Sequence, residues 1–494
     1  MVIALLIKVV NDKLKVNKEV RCMSQSKNKI GRGTLILSLT SFLFFLVLAI
    51  WAFSQHGTWG LYNWNYDYRR LLNIILGLGF LVPAVTLILW LLRNKLSHTW
   101  LNVGKWVLNI VSVAVIIVSF GIVFYVVVPA YSLLSSTEPI LLVEPSTGVY
   151  GIPNLYVYFR TETPTVVNVS WGTKDNLQLL NDANPVKEHM FHFTDLQPAT
   201  EYFYAIDNRM GLTFSTPPLS KTGTLVTFAV ASDFHYGGSD ANSNERTQIL
   251  RNISEDPNVN LFFMNGDIVD LGMVNSYWSE FFSDVTENMT KPVALVLGNH
   301  DTLIGGLYHF RNYFYPEEVK VESGNELYHR IDVGNVHFLV LEVLWGSEEF
   351  TSEQKQWLEA QLSSIPQEDW VIAISHCFYY SSGDIETGRV WSDHEDTTRL
   401  ISPLFEKYNV DLVISGHNHH MELLEKDGVT YVLEGVAGGG VPGPRPIKSE
   451  YSKWLYGDSR GYLEVTVKHS EAQLFFKNVD GEVIQQFTVT QNTQ

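Results

Sequence analysis

The sequence predicts a multidomain chain: three membrane-crossing helices, then an all-β sandwich, then an α/β domain. Three observations carry that prediction. Long uncharged apolar runs are confined to residues 34–128. Short alternating apolar patterns follow over 138–218. From Leu225 onward, apolar β-rich runs alternate with helix-like segments such as Glu353–Leu362 and Thr397–Tyr408. The chain has 494 residues, 18 % of them charged and 46 % apolar. Its two cysteines, Cys22 and Cys377, allow no disulfide framework.

Residues 1–33 form a basic tail with eight cations: Lys8, Lys13, Lys15, Lys18, Arg21, Lys27, Lys29 and Arg32. Three apolar runs follow in the region 34–128: Thr34–Phe53, Leu71–Leu92 and Trp106–Val128. Each is long enough to cross a ~30 Å hydrocarbon core. Trp51, Trp59, Trp64, Trp90, Trp100 and Trp106 lie near their ends, as an aromatic belt does. The positive-inside rule places the tail in the cytoplasm, and three crossings then place everything after Val128 outside. Three glycosylation sequons, at Asn168, Asn252 and Asn288, agree with that side.

Charge separates the two halves. Residues 1–136 carry a net +10 and residues 137–494 a net −27. The acidic half repels a phosphate backbone, so no nucleic acid is expected as a partner; the basic half points to a membrane.

After a proline-bearing linker, the strand patterns Leu155–Arg160, Val166–Trp171 and Tyr202–Ile206 mark the sandwich at 138–218. The stretch Leu196–Tyr204 is similar to the fibronectin-type-III pattern before its tyrosine corner, which implies a sandwich of about seven strands.

The chemistry lies in 225–494. Five times a short apolar run ends in oxygen or imidazole donors: Asp233-Phe-His235, Gly266-Asp-Ile-Val-Asp270, Gly298-Asn-His-Asp301, the lone His376, and Gly416-His-Asn-His-His420. In open sheets, ligand sites gather beyond the carboxyl ends of strands, so five such ends converge on one crevice. A donor set without thiolate suits Zn, Mn or Fe. Cys377, beside His376, reads as buried packing.

These five motifs, in this order, resemble the calcineurin-like metallophosphoesterases. The resemblance implies a four-layer α/β/β/α domain with two divalent metal ions. It assigns Asp233, His235, Asp267 and His419 to one metal. Asp267, Asn299, His376 and His417 go to the other, with Asp267 as the bridge. It further implies attack by a metal-bound hydroxide, His300 as the acid for the leaving group, and Asp301 as the group orienting that imidazole. A fibronectin-like module ahead of such a domain resembles the purple acid phosphatases. That family has Asp-x-Gly in the first motif and Tyr ending the second, where this chain has His235 and Asp270, so the iron-binding tyrosinate is absent.

The expectation is a membrane-anchored phosphoesterase acting on a phosphorylated small-molecule or lipid-linked substrate. The alternative is a non-catalytic, phosphatase-like sensor or binding protein. Asp270 reads equally as a support for the site or a cap of the next segment, and His420 as a bystander. The loop 378–396, with Tyr379, Tyr380, Arg389, Trp391 and His394, is a candidate pocket wall. Arg311, Lys448 and Arg460 are candidate phosphate-binding cations.

Overall fold

The computed structural model describes residues 32–492 apart from 57–65, 93–94, 146–150, 208–211, 348, 387–388, 442 and 444. Seven of the eight tail cations, with Trp59 and Trp64, lie outside the described residues. The chain divides into two compact units, Met1–Tyr125 and Val126–Gln494.

The first unit holds the helices Arg32–His56, Tyr66–Leu92 and His98–Ile122. Of the three expected crossings, two are found among the described residues. Among the described residues, two helical runs are long and apolar enough to cross a membrane, Arg32–Ile50 and His98–Ala130. The middle helix contributes a shorter apolar piece, Leu81–Leu92. The helix itself is 27 residues long, with Pro83 inside it. Large apolar side chains face outward along both longer runs: Ile36 is 64 % exposed, Val47 65 % and Ile117 65 %. Apolar surface on that scale calls for an apolar surrounding.

The second unit is built on two large sheets. The nine-stranded sheet runs in the order Val483–Thr490, Glu471–Asn478, Gly461–Lys468, Thr224–Ala231, Leu261–Asn265, Val293–Val296, Ile140–Val143, Leu155–Thr165 and Val186–Phe193. The seven-stranded sheet runs His329–Val333, Val336–Leu341, Trp370–Ser375, Leu412–Ser415, Val429–Glu434, Met421–Lys426 and Ser452–Tyr456. Each has a parallel centre whose strands are buried on both faces, which is why they read as continuous apolar runs. A four-stranded antiparallel sheet, Asn176–Asn181, Asn168–Thr173, Glu201–Ile206 and Leu212–Ser215, completes the β-rich N-terminal part.

That part shares a sheet with the α/β part. Ile140–Val143 pairs in parallel with Val293–Val296, Leu142 lying opposite Val293. One core cluster lies between the two large sheets; within it the rings of Phe228 and Phe338 meet edge to face at 5.0 Å. A second cluster joins the helices Ser243–Glu255, Asn275–Asn288 and Gly306–Phe314 to the outer face of the nine-stranded sheet. A third joins Ser352–Ser364 and Ser402–Lys407 to the outer face of the seven-stranded sheet. The parallel strands of both sheets therefore end at one rim, and that rim carries the donor motifs.

Candidate metal centre

Each donor sits just beyond a strand whose burial is total, so its backbone is held while its side chain reaches the rim. Asp233 and His235 follow Thr224–Ala231, and Asp267 follows Leu261–Asn265. Asn299 opens the short helix Asn299–Thr302 after Val293–Val296. His376 follows Trp370–Ser375, and His417 and His419 follow Leu412–Ser415. Four of these residues, Asp233, His235, Asp267 and His417, have positive φ of 59°, 48°, 48° and 71°. Non-glycine residues seldom hold that conformation, and a cluster of them is typical of functional sites. Gly298 is required by close approach: a Cβ there would lie 1.9 Å from the Asp267 nitrogen.

The donors fall into two groups. In one, Asp233, His235 and His419 converge; in the other, Asp267, His376 and His417; His300 also converges with His235 and Asp267 between them. His419 Nε2 lies 3.2 Å from Asp233 Oδ1 and 3.3 Å from His235 Nε2. Asp267 Oδ2 lies 3.2 Å from His376 Nε2 and 3.7 Å from His235 Nε2, so it stands between the groups. Asn299 Oδ1 is 3.0 Å from His376 Nε2. The other ring nitrogens are already engaged. His376 Nδ1 is 2.9 Å from the Asn265 carbonyl, His419 Nδ1 2.8 Å from the Gly440 carbonyl, and His235 Nδ1 3.2 Å from Asp270 Oδ1. Each Nδ1 donates outward, which turns Nε2 inward as a lone-pair donor.

Two atoms show that the protein leaves this place incompletely satisfied. Asp233 Oδ1 and Asn299 Nδ2 are buried without a hydrogen-bond partner. Converging carboxylates and imidazoles, tautomers set from outside and an orphaned carboxylate oxygen fit a pair of divalent cations. In the cation-free protein, protons fill part of that role. Burial pulls His376 down, but Asp267 and Asp233 outweigh it and raise its pKa to about 9. Burial likewise opposes ionisation of Asp267, and the imidazoles of His376, His300 and His235 hold it well below the usual range. His417 moves the other way, to about 3, through burial and the neighbouring His376.

His300 and Asp301 separate in role. His300 Nδ1 lies 2.7 Å from the Asp270 carbonyl, and its ring meets that of His235 edge to face at 4.6 Å. The expectation that Asp301 orients this imidazole is corrected. Asp301 accepts from the backbone N–H groups of Val269 at 3.0 Å and Gly298 at 2.9 Å, and is fully buried. It clamps the two donor-bearing loops together, because two amide donors outcompete a side chain across the loop. Asp270, which the sequence left open, supplies its carbonyl to His300 and its carboxylate to His235.

Other candidates lie elsewhere. His420 is buried, 3.0 Å from Glu422 Oε2, with Arg445 Nε donating to its Nδ1. Tyr379 and Tyr380 pack in the core against Tyr431 and line no rim. Arg311 is paired with Glu326, and Arg460 with Glu245 and the carbonyls of Gly438 and Gly439. Trp391 does reach the centre, its ring 5.6 Å from that of His417. Sequence reasoning missed Trp345, 5.8 Å from His417 and 6.5 Å from His300. It also missed Glu434, whose Oε2 accepts from Ser232 N and whose carboxyl burial and Asp233 push far up. Neither stands in a donor motif, so no pattern pointed to them.

Residues 226–421 match the family model of the calcineurin-like phosphoesterases. An uncharacterised protein of Mycobacterium tuberculosis is 25 % identical over 392 residues, 65 % of this chain and 70 % of that protein. Purple acid phosphatase 23 of Arabidopsis thaliana is 24 % identical over 289 residues, 50 % of this chain and 60 % of that one. Another Arabidopsis relative is described as a probable inactive purple acid phosphatase. The fold of the chain resembles that of the purple acid phosphatase from yellow lupin (Lupinus luteus) seeds. The TM-score is 0.57 and identity 18 %, over 72 % of this chain and 74 % of the lupin chain.

Proposed function

We propose that the protein is a membrane-anchored, binuclear phosphoesterase that hydrolyses phosphate mono- or diesters. One observation carries this reading: two donor groups meet at Asp267, and every donor of both is present. A binding-only protein of this family has no need of a complete set.

Asp233, His235, Asp267 and His419 would hold one divalent ion, and Asp267, Asn299, His376 and His417 the other. Bound there, the ions supply charge neutralisation to the phosphoryl oxygens and acidify a water. The chain supplies the rest. The Asp270 carbonyl holds the His300 proton at Nδ1 and leaves Nε2 to protonate the leaving oxygen. Asp301 fixes the loops that present Asn299 and His300. Asp270 keeps the His235 ring in place. Mn, Zn and Fe(II) all suit the donors, and a phosphorylated small molecule or lipid-linked phosphate is the substrate class.

The second unit is proposed to face outside. That side follows from the basic tail and requires the helix Tyr66–Leu92 to cross along with the two longer runs. With two crossings the tail and the catalytic unit share a side. Of the sequons, Asn168 is exposed with its amide donating to Asp207, and the Asn252 amide donates to the Val479 carbonyl. Protease added to intact cells separates the cases: digestion of the catalytic unit supports the outside, and protection until lysis reverses it.

The function is tested by phosphate release from the full chain in detergent, across monoesters, diesters and lipid pyrophosphates with Mn, Zn or Fe(II). Metal-dependent release is expected. Unchanged activity in metal-free, chelator-treated protein refutes the reading.

A further inference from the structure

Two tryptophans border the metal centre without belonging to it. Trp345 lies on the loop after Val336–Leu341, and its ring is 6.5 Å from His300 and 5.8 Å from His417. Trp391 closes the small hairpin Asp384–Glu386 with Arg389–Trp391, and its ring is 5.6 Å from His417. Both are half-buried. Beneath them, buried Phe378 stacks on His417 at 5.9 Å and 27°.

Both are held from behind. The hairpin is tied down where Gly383 and Ile447 exchange hydrogen bonds of 2.7 and 3.1 Å, and where Asp393 N donates to Ser381 O. The Trp345 loop is pinned through Cys377 N to Val343 O at 2.8 Å and through the buried Gln354 side chain to the Glu342 and Glu349 carbonyls. A preorganised pair of indoles beside a reaction centre contributes affinity for a flat ring at little ordering cost. Two of the three candidate phosphate-binding cations are already taken. Arg311 and Arg460 are engaged with carboxylates, so neither offers a ready clamp for a second phosphate.

We infer that Trp345 and Trp391 are specificity-determining residues that select phosphoesters whose leaving group carries a flat aromatic ring, namely a nucleoside. Trp345 stands beside His300, the group assigned to the leaving oxygen, and this places the ring-binding wall on the leaving-group side. The inference rests on the proposed phosphoesterase reading. Hydrolysis follows the ordinary balance: the bond from phosphorus to the 5′ oxygen breaks, water supplies the new oxygen on phosphorus, and the 5′ oxygen leaves as the alcohol with one proton.

The test compares adenosine 5′-monophosphate with ribose 5-phosphate, which share the same leaving oxygen and differ in the base. On the full chain in detergent with metal added, kcat/KM is expected to favour the nucleotide about tenfold or more, mainly through KM; stacking of one base on an aromatic side chain has that order of effect. The preference collapses toward one in Trp345→Ala and Trp391→Ala, and Trp391→Phe, which keeps a flat ring, retains most of it. Calorimetric titration of both compounds gives a second readout that needs no turnover. Equal kcat/KM and equal binding of the two compounds overturn the inference and leave the phosphoesterase reading intact. Tighter binding of the nucleotide, lost in Trp391→Ala, with no hydrolysis of either compound, supports the aromatic wall and removes the hydrolase. A preference that survives both alanine variants also overturns the inference.

Discussion

Two buried histidine–carboxylate clusters stand in the same unit and differ in one respect. At the rim, Asp233, Asp267, His235, His376, His417 and His419 converge, and among the described residues the carboxylates pair with imidazoles rather than with lysine or arginine. Near the edge of the seven-stranded sheet, His337 Nδ1 lies 2.7 Å from Asp332 and Nε2 lies 3.1 Å from Asp369. There Arg330 Nε donates to Asp332 at 2.6 Å, and Asn335 donates to Asp369. The second cluster carries its own cation and leaves no carboxylate oxygen of Asp332 or Asp369 among the orphaned atoms. The first has orphaned atoms, four left-handed backbones and imidazoles locked with Nε2 inward. Residue type is alike in both, while His417 and His419 at the rim are only half-buried; the paired arginine distinguishes a structural brace from a site.

The comparison breaks most readily at Asp267. Asp267→Asn should cut metal-dependent phosphate release on the order of a thousandfold, because one carboxylate serves both donor groups. Phosphate release and metal content read it together. In the brace, His337→Ala should cost about 3–5 kcal/mol of stability, the usual penalty for stranding buried charges. Denaturant unfolding measures this, and metal stoichiometry of the folded fraction should not change. If His337→Ala also strips the metal, the two clusters are coupled and the contrast fails.

Asp270→Asn sharpens the contrast at smaller scale. It leaves every proposed ligand in place and alters the partner of His235 Nδ1, whose carboxylate also lies 3.7 Å from His300 Nδ1, so metal affinity should fall about 10–100-fold. Competition against a chromophoric chelator measures it. The rim should also depend on pH. The His376 pKa of about 9 in cation-free protein means its proton must leave before the ring can bind an ion. Metal affinity therefore rises with pH up to about 9. The stability linked to protonated His376 runs oppositely: it is complete below the ordinary 6.5 and fades as pH rises through 9. Metal titrations at several pH values test the sign.

The smallest effect is optical. With Asp270 where the purple family has tyrosine, no phenolate is present at that position to give charge transfer to iron. Metal-loaded protein should lack a strong visible band. Such a band with stoichiometric iron refutes the divalent assignment.

Much of this was legible before folding. Apolar runs ending in Asp, Asn and His mark buried parallel strands, because a strand covered on both faces has no polar alternation. Their donors at the ends mark the rim, because parallel strands in one sheet finish on one side. The fate of single side chains was not legible. Asp301 and His300 are neighbours in sequence, yet one points back to the amides of Val269 and Gly298 and the other toward Asp270. Tyr379 and Trp391 belong to the same loop, yet one fills the core and the other faces His417.

Sequence by itself determined the order of parts, the donor set and the absence of the tyrosinate. These depend on residue type and on spacing along strands, which repeat every two residues whatever the surroundings. Tertiary structure alone decided that Asp270 serves His235 and His300 and that Trp345 stands beside the centre. It also joined Ile140–Val143 to Val293–Val296, merging the β-rich part and the catalytic part into one sheet. Contacts across more than a hundred residues are set by packing of the whole core, and no local pattern encodes them.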